Sequence, residues 1–231
     1  MNITKPVRIL FATITIYLLL TISEVLIHKY IMHNEPGTWA AWIYGDNHNK
    51  HHRVVLDDMK LNTESEDHDV GLFFGPDSVL QMTFGFTLPF YGIFKMWGLN
   101  VSIRACYALA MGISLFYKFL WDWLHYSFHQ IKDLETWKGN PVFYWYFRNH
   151  SYHHLVKGEH KGNYNIILPG GDHILGTYRG CIDNTEYCKS NEHSICTRQE
   201  ENDVLEHGFK FCNKGKKSES VTPAPLPNGS V

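Results

Sequence analysis

HNKHH, running from His48 to His52, has a near copy about a hundred residues later in HSYHH, from His150 to His154. On a helix the pattern His-x-x-His-His places its members at i, i+3 and i+4, roughly 60° to one side and 40° to the other of a common direction. All three imidazoles then leave one face together. His125 and His129, one turn apart, do the same. His28 and His33, five apart, diverge by about 140° on a regular α-helix, so they reach different metals or need a bent segment. Ten of the fifteen histidines thus fall in four short groups, each just beyond or outside an apolar run. Neutral imidazole is the commonest metal ligand and suits zinc, iron, copper and nickel, so an all-nitrogen set of this size is enough for two ions. His68, His193 and His207 stand alone in polar segments and read as solvated, whereas His160 and His173 follow the fourth group and are candidate auxiliary ligands.

At 231 residues and a net charge of -2, the chain reads as one domain with a tail, and nothing in its charge points to nucleic acid. Aromatic content of 15% and long apolar stretches coexist with very polar ones. That contrast suits a membrane protein with a large aqueous face. Of five cysteines, Cys106 lies in an apolar run, and Cys181, Cys188, Cys196 and Cys212 are spaced irregularly near the C-terminus. The absence of Cys-x-x-Cys argues against a zinc ribbon.

Three apolar runs are candidates for membrane spans. Residues 7–27 would cover roughly 31 Å at about 1.5 Å per residue, enough for a bilayer core. Residues 79–97 and 101–123, separated by the turn signal Gly98-Leu99-Asn100, read as a helical hairpin. If the histidine groups meet, the ends at His28, His48 and His125 share a side, which three spans achieve. Lys29, Lys50, Arg53 and Lys60 then outnumber Lys5 and Arg8, placing the site and the C-terminus in the cytosol. Trp39, Trp42 and Tyr44 form an aromatic group suited to the headgroup level. Glu24, one turn before His28, is expected to accept a hydrogen bond from that ring if His28 binds metal, the alternative being a plain interfacial carboxylate. The fold expected is all-α, a membrane-embedded helical bundle with a cytosolic histidine-rich cap over residues 1–180. Residues 181–231 have the composition of a largely disordered tail.

With the four groups placed, the sequence resembles the fatty acid hydroxylase and sterol desaturase superfamily of membrane non-haem iron oxygenases. EVLIHKYIMH is similar to the first box of that family (His28, His33), HNKHH to the second (His48, His51, His52), and WDWLHYSFH to the third (Asp122, His125, Tyr126, His129). NHSYHH is similar to the fourth (His150, His153, His154), and NYNIILPGGDHILGT, with Asp172, to the closing segment. The resemblance implies two iron ions held by the ten histidines, which zinc would occupy on purification, with O2 as co-substrate. Glu24, Asp122, Tyr126 and Asp172 are then expected to support the ligands. It also implies a membrane lipid substrate and, for a eukaryotic protein, the endoplasmic reticulum. Three departures stand out: Gln130 occupies a position where many relatives carry another histidine; the family commonly has four membrane helices where three clear runs are found here, so that a re-entrant or interfacial segment around Trp39 to Tyr44 would stand in for the fourth; and Leu168-Pro-Gly-Gly lacks the histidine of a fused cytochrome b5 domain. The electron donor is therefore expected to be separate, such as cytochrome b5 and its reductase.

The function expected is O2-dependent hydroxylation or desaturation of a fatty acyl, sphingolipid or sterol substrate. A catalytically inactive metal-binding or scaffold protein of the same fold is the alternative, and Gln130 is the feature that favours it. A haem-binding electron carrier fits poorly, because tight triplets at span ends cannot flank a flat porphyrin.

Overall fold

The computed structural model describes residues 3–33, 38, 47–56, 59–130, 136–137, 140–155 and 161–179. The aromatic group at 39–44, His160, His193, His207, the four C-terminal cysteines and the proposed tail lie outside the described residues.

The described part is all-helical, with one isolated bridge between Val55 and Leu61 and no strand among the described residues. Helix α1 (Lys5–Ile27) starts with proline in its first turn, where a missing N–H costs nothing, and runs directly into a π-helical turn, His28–Met32. Helix α2 (Asn47–Val54) carries HNKHH. Helices α3 (Pro76–Met96) and α4 (Ile103–Phe128) form the expected hairpin. Gly98 turns the chain with a φ of 66° that favours glycine, and Ser102 caps α4 by accepting from the Ala105 amide. Helix α5 (Pro141–Leu155) carries HSYHH, and the five-residue α6 (Gly171–Leu175) closes the described part.

Ile16, Phe90, Cys106 and Ala110 form a buried cluster joining α1, α3 and α4. Beyond it, Trp97 stacks on Phe11 at 4.9 Å and donates its indole N–H to Thr15. At the opposite end Met32, Met59, Trp121, Phe128, Phe143, Phe147 and Ile166 pack into a second cluster. The ends of α1 and α4 and the histidine-bearing α2 and α5 meet there. Helix α6 docks on α1 so closely that a Cβ on Gly171 would lie 2.3 Å from the Thr21 carbonyl oxygen, which excludes any other residue.

Two helical stretches, Lys5–Met32 and Ile103–Phe128, are long and apolar enough to cross a membrane. The third expected run, α3, is not one of them. Gln81, Thr83, Gly85, Thr87 and Pro89 dilute its hydropathy, although Thr83 and Thr87 satisfy their hydroxyls on the carbonyls one turn back.

Candidate metal centre

The ten histidines sort into two groups of five, and within each group the ligand atoms all lie within 4.8 Å of one another. His28, His33, His48, His52 and His153 make one group; His51, His125, His129, His150 and His154 make the other. Each His-x-x-His-His helix serves both. Helix α2 gives its i and i+4 members, His48 and His52, to the first group and its i+3 member, His51, to the second. Helix α5 does the reverse, with His150 and His154 in the second group and His153 in the first. Two helices facing each other with this pattern therefore supply three nitrogens to each group. The remaining pairs come from the π turn that follows α1 (His28, His33) and from the C-terminal end of α4 (His125, His129). The groups abut where His52 stacks on His154, with ring centroids 4.0 Å apart.

The π turn solves the problem posed by five-residue spacing. Its wider turn closes a hydrogen bond from the His33 amide to the His28 carbonyl at 3.2 Å, so residues i and i+5 share a face. The two rings stack 5.1 Å apart with an interplanar angle of 13°, and both join the first group.

Backbone carbonyls fix the tautomers. Nδ1 of His28 lies 2.7 Å from the Tyr164 carbonyl oxygen and Nδ1 of His153 lies 3.0 Å from that of Gly162. In the second group, Nδ1 of His125 lies 3.1 Å from the Leu72 oxygen and Nδ1 of His129 lies 2.7 Å from that of Met59. A carbonyl only accepts, so each Nδ1 carries the hydrogen and each Nε2 presents its lone pair inward. Met59 adopts a φ of 67°, which a residue without a small side chain rarely does, and it is fully buried with its oxygen on His129. Gly71, next to Leu72, has a φ of 76°, and a Cβ there would lie 2.5 Å from the Asn47 oxygen and 2.9 Å from the His51 Cβ.

The carboxylates act one step further out than the sequence suggested. Glu24 does not meet His28. It accepts from the Ile166, Ile167 and Leu168 amides at 2.9, 2.8 and 2.9 Å, from the Asn165 side chain at 3.1 Å and from the Tyr117 hydroxyl at 2.9 Å. Asp172 accepts from the Tyr164 and Asn165 amides and from Thr177. Together they hold the segment whose Tyr164 carbonyl orients His28. Asp122 accepts from the Phe74 amide at 2.9 Å and pairs with Lys118, holding the loop whose Leu72 carbonyl orients His125. Tyr126 departs from expectation: it is exposed and stacks on Phe73 at 5.6 Å, because it lies about 100° around α4 from His125. His173 is exposed and stacks on Tyr178, outside both groups, and His68 bonds to Ser65 and Asp69 in the loop before α3.

Burial first, and then the neighbouring imidazoles, hold His48, His51, His52, His150, His153 and His154 well below the ordinary histidine range. Burial likewise lowers His33, and lowers His129 to about 3. These rings are neutral at physiological pH, the state that metal binding needs. Nε2 of His51, His125 and His154 is buried with no hydrogen-bond partner, an arrangement that is costly for a polar atom and natural for a ligand. The donor set therefore fits two cations.

The sequence reading missed Trp121, whose ring lies 5.8 Å from His28 and 5.0 Å from His125, although its place one turn before His125 was visible. It also missed the four orienting carbonyls, for which no side-chain signal exists. Compared with protein-family models, curated proteins and solved structures, the chain matches none.

Proposed function

We propose that this chain is a membrane-embedded, O2-dependent di-iron lipid oxygenase, a hydroxylase or desaturase of the fatty acid hydroxylase and sterol desaturase kind. The observation that carries the reading is the pair of five-histidine groups, joined to an apolar cavity. In the first group five pairs of Nε2 atoms lie 2.8, 2.9, 3.1, 3.1 and 3.2 Å apart, so these rings converge. Five neutral imidazoles would suit an iron ion, whereas structural zinc sites are commonly built with cysteine thiolates.

A narrow apolar cavity of about 50 Å³ lies between α1, α3 and α4, walled by Leu20, Ile27, Met82, Phe86 and Ile113 and also by His28. It would bring a hydrocarbon segment against the first group while excluding water. The outward faces of the same helices carry Leu10, Phe84, Leu88, Phe116 and Phe119, each more than half exposed, a surface suited to lipid. That surface suits a third span, with α3 completing the set beside α1 and α4, and the excess of lysine and arginine after the first span favours the histidines toward the cytosol.

Bound iron would supply O2 activation. The ten histidines would hold the ions, the carbonyl-bound Nδ1–H groups of His28, His125, His129 and His153 would keep those four rings in register, and Trp121 and Phe74 wall the site. Hydroxylation takes a C–H bond, O2, two electrons and two protons to an alcohol and water. Desaturation takes two C–H bonds and the same reductant to an alkene and two waters. Both need a separate electron donor, for which cytochrome b5 and its reductase are suited.

Lipid extracts of cells expressing the full chain test this by mass spectrometry. A new species with one added oxygen or two fewer hydrogens is expected, and it should disappear with either His51→Ala or His153→Ala while both variants still insert in membranes. Undiminished product in both variants would contradict the proposal.

A further inference from the structure

The two histidine groups differ in what can reach them. His28 walls the apolar cavity between α1, α3 and α4. His48, of the same group, walls a second and more polar cavity of about 490 Å³ with Asn47, Asp77, Ser78 and Gln81. Met32 and Phe74 wall both cavities, so the first group sits where an apolar space and a polar one adjoin. Two of its members, His33 and His52, are only half-buried.

None of the five histidines of the second group walls either cavity, and all five are buried. Trp121, itself 1% exposed, stands between the apolar cavity and this group, facing His28 on one side and His125 on the other. Phe128 covers His150 at a ring distance of 5.1 Å, and the fully buried Met59 backs His129.

Resting on the two-ion reading above, we infer that the ions are not equivalent. The ion held by the His28 group faces substrate and exchanges with the medium. The ion held by the His125 group is sealed, and no ligand of that ion meets a substrate lying in the apolar cavity. The stacked His52 and His154 rings join the two groups side chain to side chain.

The test uses the full chain in detergent, loaded with Co²⁺ and challenged with excess soluble chelator, following cobalt absorption and the metal retained. Two equivalents should leave in two phases, one at least tenfold faster than the other. His52→Ala should remove the fast equivalent and keep the slow one. Gln81→Trp, at an exposed position outside both ligand sets, should narrow the polar cavity and slow only the fast phase. Release of two equivalents in a single phase, or loss of the slow ion in His52→Ala, overturns the inequality and leaves the two-ion reading standing. A chain that binds fewer than two ions overturns both.

Discussion

Glu24 accepts five hydrogen bonds, four of them from residues 165–168, within an apolar helix where an unpartnered carboxylate would be costly. Glu24→Gln replaces one acceptor oxygen by an amide that faces other donors, so the segment bearing the Tyr164 carbonyl should shift and His28 should lose its fixed orientation. Losing such an indirect support typically costs 10–100-fold in metal affinity, about the size expected here. Chelator competition should show that loss for the ion of the His28 group and little change for the other; equal affinity to the unaltered chain would contradict the role. Eight of the ten candidate ligands were legible because imidazoles at i, i+3 and i+4 announce a shared face, whereas His28 and His33, five apart, needed the π turn. Glu24 was legible as a residue that matters, but its partners were not, since three of the five are backbone amides more than 140 residues away. The carbonyls of Met59, Leu72, Gly162 and Tyr164 were invisible because every residue has one.

At the scale of elements, the π turn at His28–Met32 does what an α-helix could not, bringing residues five apart onto one face. Inserting one alanine after Tyr30 should put the two histidines six apart, about 120° apart around a regular α-helix, and cost the chain one bound metal ion. Deleting Ile31 makes the spacing i, i+4, which an ordinary α-helix places on one face, so the ion should be retained with weaker binding. Metal counts on the two purified variants decide this, and equal loss in both would contradict it. The hairpin of α3 and α4 followed from two apolar runs around Gly98-Leu99-Asn100. The allotment of His51 and His153 across the groups did not follow, because it depends on how α2 and α5 face each other, which no local pattern encodes.

The whole molecule sets three long helices beneath two short histidine-bearing ones. One cluster of apolar side chains binds the long helices together, and a second, centred on Trp121 and Phe128, forms the floor of the centre. Three apolar runs were legible as helices, whereas among the described residues only Lys5–Met32 and Ile103–Phe128 are long and apolar enough to cross a membrane. Ten imidazoles from four parts of the chain are expected to hold two ions in nitrogen shells. Elemental analysis combined with X-ray absorption on the purified full chain tests it most directly. Two ions per chain are expected, each with nitrogen neighbours at about 2.0–2.2 Å and no sulfur. One ion or none, or a shell containing sulfur, would contradict the account.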